Sequence, residues 1–450
     1  MSNVIVFMSD EHNPRYASPY GHDFILTPHL QTLADTGTLF ENAYCPSPLC
    51  VPSRSAFLSG KRVHEVSAYG NNRIGIPEET HGIGKVMADA GVHSVFIGKT
   101  HAYRPISELG FSEVLLPSGD KDVAFDEAQQ RKPLAVRHGS ARRETMYGPR
   151  EAPWGRDEDY TQAAVDWLLN TAGRVSEPWV LYINLLKPHF PHFCSQELWD
   201  LYADHADLPD YGPDTETGQH PYSQDLRVHF ELDGFDESHV RGQRRGYYAC
   251  ITFIDQQVGR IMAALQQAHL VDTTNLIYTS DHGEMLGKFG LWWKCNLLED
   301  AAGIPCIAAG PDFGHRTVST PVDLHDVQAS VMSLTGAGLV GDRLGTPLNL
   351  IDAADHNRFV FAEYHGHGTR ASSYMVRQGD WKLIHHIGAE DQLFNLRSDP
   401  DELSNACSSE PERVAALMKI LRTVCDPEQE QRAVEAAWVK QVRLNEASGS

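Results

Sequence analysis

The sequence predicts an α/β protein in which a large, mostly parallel sheet is flanked by helices, with a smaller part at the C-terminal end. Residues 3 to about 345 alternate short apolar runs with longer amphipathic ones, a pattern typical of a parallel sheet covered by helices. After about residue 350 the pattern changes to short β-type runs joined by turn residues. We therefore expect a main α/β domain over 1–345, a small α+β subdomain with a short antiparallel sheet and a helix over 346–425, and a helical or flexible tail over 426–450.

The composition excludes several classes of protein. The chain has 450 residues, 41% of them hydrophobic, which suits a folded protein rather than a disordered one. Its formal net charge of -22 argues against nucleic acid or an anionic membrane as a partner. The first residues lack the basic start of a signal peptide, and no later run is long enough to span a bilayer, so we expect a cytoplasmic protein. The eight cysteines show no CxxC pair or disulfide-type spacing, which predicts mostly buried, reduced thiols.

Four apolar runs are predicted to be strands, and each ends at polar residues of the kind that bind ligands. The runs are VIVFM (4–8) before Asp10 and Glu11, SVFIG (94–98) before Lys99 and His101, WVLYINLL (179–186) before His189, and NLIYTS (275–280) before Asp281 and His282. Open α/β sheets place their sites at the carboxyl ends of strands. We therefore expect the four ends to converge on one crevice.

Helices are predicted between and after these strands. Two helices that end at glycine are predicted in LTPHLQTLADTGTLF and HGIGKVMADAG, and a long amphipathic helix is predicted in GYYACITFIDQQVGRIMAALQQ. In the C-terminal part, a helix is predicted in EPERVAALMKILRTVC, together with strands in RFVFAEY, SYMVRQGDWKLIHHI and DQLFNL. In the tail, Trp438 and Val442 would share one helix face. The pattern leaves open whether that face packs on its own chain or on a second copy in a homo-oligomer.

The segment from Arg131 to Arg150 is an isolated basic patch in an acidic protein. It holds six Lys or Arg residues against one Glu. One interpretation is a solvated surface loop, and the other is a lid or rim that recognises an anionic substrate. Further candidates for such a rim are Tyr103, Arg104, His192, Trp292 and Trp293.

Cys50 opens the stretch CVPSR, at the start of a predicted helix. Because free N–H groups and the helix dipole favour an anion there, the position is expected to lower the pKa of a thiol. Thiol-based phosphatases place more residues between cysteine and arginine than the three found here, so the spacing argues against that chemistry. A purely structural thiol would leave the adjacent Arg54 without a role.

The residues at the strand ends could form a metal site and an anion clamp. Asp10, Asp281 and His282, with Glu11 beside them, would give an oxygen-rich site for Ca²⁺, Mg²⁺ or Mn²⁺. Cations or proton donors that could grip a tetrahedral anion are Lys99, His101, His189 and Lys294. Each residue alone has an ordinary structural explanation, such as a helix cap or a solvated lysine. Together with Cys50 they indicate transfer of a sulfuryl or phosphoryl group.

The stretch YCPSPLCVPSRSAFLSG resembles the type I sulfatases of the alkaline phosphatase superfamily. In that family a C-x-P-x-R element directs oxidation of its cysteine to formylglycine, and Cys50, Pro52 and Arg54 fill the three fixed positions. The resemblance extends over nearly the whole chain, through SDEHNP, GKTH, KPHFP, TSDHGEMLGKFGLWWK and RQGDWKLIHHIGAEDQLFNLRSDPDELSN. It implies an alkaline phosphatase-like fold.

The resemblance also implies a role for each site residue. Cys50, as the formylglycine hydrate, would be the nucleophile, with Ca²⁺ as the expected metal and Mn²⁺ or Mg²⁺ as alternatives. The implied metal ligands are Asp10, Glu11, Cys50, Asp281 and His282. The implied catalytic residues are Cys50, Arg54 supporting the hydrate, Lys99 bridging hydrate and sulfate, His101 deprotonating the hydrate as sulfate leaves, and His189 and Lys294, one of which protonates the leaving alcohol. Sulfate would be bound by Lys99, His189 and Lys294, and Asp281 could also act as the base.

The implied function is hydrolysis of a sulfate monoester to an alcohol and inorganic sulfate. The implied partners are a small anionic ester and a formylglycine-generating enzyme acting on the unfolded chain. Glu11 stands where many sulfatases have a second Asp and His282 where many have Asn, and choline sulfatases and phosphonate monoester hydrolases share the latter feature. A phosphonate monoester hydrolase or phosphodiesterase is therefore the alternative, whereas the intact GKTH favours a sulfate monoester. A non-catalytic binding protein is a third possibility, which the presence of every nucleophile, metal and clamp position disfavours.

Overall fold

The computed structural model describes residues 1–71, 82–102, 104–119, 126–338 and 343–448. In this part of the chain the strands are β1 (Asn3–Asp10), β2 (Thr38–Phe40), β3 (Ala43–Tyr44), β4 (His93–Lys99), β5 (Glu113–Ser118), β6 (Tyr147–Pro149), β7 (Trp179–Pro188), β8 (His192–Cys194), β9 (Thr274–Ser280), β10 (Gly303–Ile304), β11 (Cys306–Ala309), β12 (Arg316–Val318), β13 (Val322–Asp323), β14 (Phe359–Tyr364), β15 (Ser373–Gln378), β16 (Trp381–His386) and β17 (Gln392–Asn395).

The α-helices lie between and after these strands. They are α1 (Pro28–Thr36), α2 (Cys50–Ser59), α3 (Ile83–Asp89), α4 (Asp157–Asn170), α5 (Gln196–Leu201), α6 (Glu216–Gln219), α7 (Pro221–Phe230), α8 (Glu237–Gln267), α9 (Glu299–Ala302), α10 (Leu324–Leu334), α11 (Pro411–Val424) and α12 (Pro427–Ser448). Helix α8 begins at Glu237 rather than at the predicted Gly246, because the Asp236 side chain accepts a hydrogen bond from the Ser238 N–H and caps it there. None of the described helices is both long and apolar enough to cross a membrane.

An eight-stranded sheet in the order β12-β2-β11-β9-β1-β7-β4-β5 forms the centre of the protein. Strands β9, β1, β7, β4 and β5 are mutually parallel, whereas β11 runs antiparallel to both of its neighbours. Strand β1 contains the apolar run 4–8, which is buried on both faces, as expected for a central parallel strand. The four predicted strands are therefore adjacent and parallel, which brings their carboxyl ends to one edge.

The C-terminal part contains the predicted antiparallel sheet, β14-β15-β16-β17. Helix α11 packs on it through Leu417 and Leu421, which contact a cluster that includes Val376. The sheet is tied to the main part of the protein at Glu299: its Oε1 lies 2.7 Å from Lys382 Nζ, and its N–H donates to Glu402 Oε2 at 2.7 Å. The domain limits at residues 345 and 425 stay predictions, and the tail forms helix α12.

Candidate active site

The carboxyl ends of β1, β4, β7 and β9 carry the predicted site residues to one edge of the sheet. Asp10 is the last residue of β1 and Lys99 the last of β4, while Asp281 directly follows β9. The Glu11 N–H donates to Asp281 Oδ1 at 3.2 Å, which joins the ends of β1 and β9. The structure thus brings the predicted strand ends together at one edge of the sheet.

Cys50 is the first residue of α2 and points into this cluster. Its Sγ lies 3.2 Å from His282 Nε2 and 4.0 Å from Asp10 Oδ1. With Asp281, ligand atoms from these four buried residues lie within 4.8 Å of one another. The expected lowering of the thiol pKa by the helix N-terminus is wrong, because burial raises the pKa of Cys50 to about 12. An unmodified Cys50 is therefore a protonated thiol and a poor nucleophile.

Arg54, one turn along α2, fixes Asp281. Its Nε donates to Asp281 Oδ2 at 2.7 Å. Its Nη1 donates to the Lys99 carbonyl at 3.3 Å and to Asn184 Oδ1 at 3.1 Å. The Ser53 hydroxyl donates to the Asp281 carbonyl at 2.6 Å. Burial alone would raise the pKa of Asp281, but the Arg54 guanidinium holds it well below its usual range. Asp281 is thus an ionised carboxylate inside the protein.

His282 presents a free imidazole nitrogen to the same cluster. Burial lowers the pKa of His282 to about 3, so the ring is neutral. Its Nδ1–H donates to the Gly283 carbonyl, 3.1 Å away, which leaves the lone pair of Nε2 directed toward Cys50 and Asp10. A backbone partner of this kind is the usual way in which a metal-binding histidine is oriented.

Lys99 and His101 follow β4 on the other side of the cluster. The Lys99 ammonium contacts Asp10 Oδ2, and burial lowers the pKa of Lys99 to about 7. At His101 the backbone has φ 40°, and Nδ1 is buried without a hydrogen-bond partner among the described residues. Gly119 lies against the His101 ring, where an added Cβ would come within 2.4 Å of Cδ2, so the ring position depends on this glycine. Burial, and then Lys99, lower the pKa of His101 to about 2.

His189 and Lys294 form a pair beside Glu11. The Lys294 ammonium donates to His189 Nε2 at 2.6 Å, and the His189 Nδ1–H donates to the Phe190 carbonyl at 2.7 Å. Glu11 Oε1 lies 3.1 Å from Lys294 Nζ, and its Oε2 lies 3.3 Å from His189 Nε2. Burial raises the pKa of Glu11 despite the opposing effect of Lys294. Glu11 therefore connects the carboxylate cluster to the predicted anion clamp.

The donor set fits a divalent cation. Asp10, Glu11 and Asp281 are three carboxylates that are fully buried, and His282 adds one neutral nitrogen. Both carboxylate oxygens of Glu11 are buried and accept no hydrogen bond among the described residues, although His189 and Lys294 lie within ion-pair distance. Oxygen-rich sets of this kind suit Ca²⁺, Mg²⁺ or Mn²⁺.

The residues that hold these groups in place are not among those predicted from the sequence. Asn184, inside the apolar run of β7, accepts from Arg54 and donates to the Ile97 carbonyl at 3.3 Å. Glu284 is buried and accepts the N–H groups of Leu286 at 2.8 Å and Trp293 at 2.5 Å, which fixes the loop that carries Lys294. A polar residue inside a run predicted to be fully buried was the available signal for Asn184. The role of Glu284 had no local signal.

A third residue of this kind lies outside the predicted motifs. Asp157, at the start of α4, accepts the N–H groups of Leu186 and Lys187 at 2.8 Å each. Burial raises the pKa of Asp157 to about 7 against these hydrogen bonds. The contact fixes the end of β7 just before His189, so Asp157 is a positioning residue for the clamp.

Arg143 of the basic segment 131–150 packs against the clamp, whereas Lys132, Arg142 and Arg150 are exposed. The Arg143 guanidinium lies over the rings of Phe190 and Trp293, at 4.6 and 4.7 Å from their centroids. Of the other rim candidates, His192 is fully buried and Tyr103 lies outside the described residues. The rim interpretation of the segment therefore has structural support, and the solvated-loop interpretation does not account for Arg143.

Comparison with known proteins gives a consistent family. The sulfatase family model matches residues 2–337. The chain is similar to a choline-sulfatase of Rhizobium meliloti (strain 1021), 29% identical over 422 residues that cover 90% of this chain and 82% of the relative. It is also similar to arylsulfatase K of Homo sapiens, 29% identical over 454 residues that cover 94% and 82% of the two chains.

Solved structures share the fold. One, in complex with its substrate D-glucosamine-2-N,6-O-disulfate, superposes with a TM-score of 0.76 at 19% identity and covers 96% of this chain and 98% of its own. Another, a phosphonate monoester hydrolase of Agrobacterium radiobacter, superposes with a TM-score of 0.74 at 20% identity and covers 94% and 95% of the two chains. At these identities the superpositions show the fold alone, and the fold is the one that the sequence predicts.

Proposed function

The chain belongs to the sulfatase family and is a sulfuric ester hydrolase, and from this premise we propose that residue 50 supplies the nucleophile that attacks the sulfur of a sulfate monoester. The observation that carries the proposal is the position of Cys50 Sγ, which shares one buried cluster with Asp10, Asp281 and His282. No other described cysteine belongs to such a cluster.

Conversion of Cys50 to formylglycine supplies what the thiol lacks. The hydrated aldehyde offers one hydroxyl that attacks sulfur and a second hydroxyl whose deprotonation later expels the bound sulfate and restores the aldehyde. Burial raises the pKa of the unmodified Cys50 to about 12, so the thiol itself gives almost no anion at neutral pH. Cys50 is only 2% exposed in the folded protein. A modifying enzyme would therefore have to act on the unfolded chain.

The metal is proposed to be Ca²⁺, held by Asp10, Glu11, Asp281 and His282. Three buried carboxylates and one imidazole nitrogen support a hard divalent cation, with Mn²⁺ or Mg²⁺ as the alternatives. When bound, the cation supplies positive charge that polarises the sulfate oxygens and favours the deprotonated nucleophile.

The residues around Cys50 are proposed to orient the nucleophile and move its protons. Arg54 keeps Asp281 ionised and in place, so that Asp281 can accept the proton of the attacking hydroxyl. Lys99, whose ammonium contacts Asp10, is proposed to bridge the hydrate and the sulfate. His101 has a buried Nδ1 without a hydrogen-bond partner among the described residues, and we assign to it the acceptance of the second proton when sulfate leaves.

His189 and Lys294 are proposed to bind sulfate and to protonate the leaving alcohol. The two side chains share one hydrogen bond of 2.6 Å, and the lysine is the donor in it. Their contacts to Glu11 keep them beside the metal cluster. A donor in this position neutralises the alkoxide as the S–O bond breaks.

We also propose a cytoplasmic location, as the composition predicts. It is supported by the eight cysteines, none of which forms a disulfide. Fractionation of the native host with an antibody against the chain would test it, and recovery outside the cytoplasm would refute it.

Release of 4-nitrophenol and of inorganic sulfate from 4-nitrophenyl sulfate by the Ca²⁺-loaded enzyme tests the function. We expect Cys50→Ala to abolish the release and Cys306→Ala to retain it, because Cys306 is equally buried but lies in an apolar cluster away from the site. 4-Nitrophenyl phenylphosphonate is the competing substrate, since a phosphonate monoester hydrolase shares the fold. A higher kcat/KM for the phosphonate would overturn the assignment to sulfate.

A further inference from the structure

Arg143 is a cation beside the sulfate clamp that no carboxylate neutralises among the described residues. Its guanidinium lies over the rings of Phe190 and Trp293, the residues next in sequence to His189 and Lys294. Among the described residues it forms no ion pair and no side-chain hydrogen bond. The acidic residue whose charge it feels is Glu11, which already holds Lys294 and His189. Arg143 is therefore a partly desolvated positive charge without a counterion.

The position of Arg143 is fixed by the rest of the protein. Gln243 of α8 donates from its amide to the Arg143 carbonyl at 2.5 Å and to the Glu144 carbonyl at 3.0 Å. The Gln243 amide oxygen in turn lies 2.6 Å from His192 Nδ1. With the backbone anchored and the guanidinium stacked on two rings, little side-chain entropy would be lost when an anion binds.

The surroundings of Arg143 contain further buried nitrogen atoms that lack partners among the described residues, of which the Arg137 N–H is a donor and His229 Nε2 is an acceptor, because His229 Nδ1 donates to the Ala135 carbonyl. Arg137 Nε, His229 Nε2 and His367 Nδ1 are buried and have no hydrogen-bond partner among the described residues. The His229 and His367 rings lie 5.3 Å apart, and both groups feel the charges of Arg137 and Arg143. Such a concentration of nitrogen atoms in a protein of net charge -22 is unusual for packing alone.

We propose that Arg143 binds a second anionic group on the substrate, so that the preferred sulfate ester carries two negative groups. This rests on the proposed function, because His189 and Lys294 are taken to hold the sulfate that is cleaved. The Phe190 ring centroid is 4.6 Å from Arg143 Cζ and 5.3 Å from Lys294 Nζ, so both cations contact the same ring and lie close to one another. Two anions at that spacing fit within one small molecule. A carboxylate and a second sulfate share the required chemistry, since a guanidinium can bind either with two hydrogen bonds.

The test compares three esters that differ in one substituent. They are 3-carboxy-4-nitrophenyl sulfate, its neutral 3-carboxamide analogue and its 3-sulfo analogue, all assayed with the full-length, Ca²⁺-loaded enzyme. For the wild type we expect kcat/KM to be about tenfold or more higher for one of the two dianionic esters than for the carboxamide, as expected of a charge-assisted hydrogen bond. The carboxylate and sulfonate arms show which anion is preferred.

Arg143→Gln should bring that ratio close to one, and Arg143→Lys should retain part of it because the charge remains. The matched control is Arg142→Gln, at the exposed neighbouring arginine, which should leave the ratio and the activity unchanged. A wild-type ratio near one, or a ratio that Arg143→Gln does not change, would overturn the proposal and leave Arg143 a packing residue. Failure of all three esters to release sulfate would instead refute the proposed function, and the inference with it.

Discussion

Replacing Arg54 by methionine should destabilise the protein by about 3–5 kcal/mol, because the change leaves Asp281 as a buried charge without its partner. In the structure Arg54 Nε lies 2.7 Å from Asp281 Oδ2, and the two side chains are 2% and 0% exposed. Two further acceptors, the Lys99 carbonyl and Asn184 Oδ1, lose their donor in the variant. Methionine keeps most of the side-chain volume, so a cavity contributes little to the loss.

A double-mutant cycle separates the charge effect from other losses. Arg54→Met, Asp281→Asn and the double variant would be unfolded with urea after removal of divalent metal, since a bound cation would also neutralise Asp281 and mask the effect. The transition is followed by fluorescence and circular dichroism, whose coincidence justifies a two-state analysis. We expect the double variant to be about 2 kcal/mol more stable than the two single losses predict. If the losses of unfolding free energy in the two single variants sum to the loss in the double variant within about 0.5 kcal/mol, the pairing of Arg54 with Asp281 is refuted.

Three further predictions follow from individual contacts. Asn184→Ala should lower kcat/KM for 4-nitrophenyl sulfate about tenfold, because Arg54 loses an acceptor at 3.1 Å. Added Ca²⁺ should raise the Tm of chelated wild type in a thermal scan but not that of Asp10→Asn, because the cation stabilises only a chain that binds it. His64→Gln should cost more stability at about pH 6 than at about pH 9 in urea unfolding. Burial lowers the pKa of His64, but the contact with Glu363 outweighs burial and raises it. The stability from this ion pair is therefore present below the ordinary histidine pKa and is lost as the pH rises through the raised pKa.

Each of these has a matched control. Asn170→Ala should leave kcat/KM unchanged, because Asn170 is exposed on α4 and donates only to the Asp166 carbonyl. His356→Gln, at an exposed position, should have the same small effect at both pH values. Equal losses of kcat/KM in Asn184→Ala and Asn170→Ala would contradict the role of the Asn184 contact. A rise in Tm with Ca²⁺ that persists in Asp10→Asn would contradict Asp10 as a metal ligand. A loss of stability in His64→Gln that grows with pH would contradict the ion pair with Glu363.

The strand ends of the site could be predicted from the sequence because their chemistry is local. Asp10, Lys99 and Asp281 each follow an apolar run that can only be a strand, and adjacent parallel strands bring their carboxyl ends to one edge. The position of Cys50 at a helix start was equally readable from Pro52. Periodicity and turn residues were enough for these parts.

Contacts between distant segments could not be predicted in this way. Arg54 and Asp281 are 227 positions apart, so their ion pair depends on the strand order of the sheet, which the pattern does not give. The raised pKa of Cys50 reflects complete burial of α2, which no local signal reveals. The contact of Arg143 with the clamp arises in a segment without periodicity, so only the fold could distinguish a rim from a solvated loop.

The most direct test of the account is the mass of the tryptic peptide that contains Cys50, measured on fully active protein. Formylglycine at this position predicts a peptide that has lost one sulfur and two hydrogens and gained one oxygen relative to the encoded sequence. An unmodified cysteine in protein that releases sulfate at its full rate would contradict the proposed nucleophile.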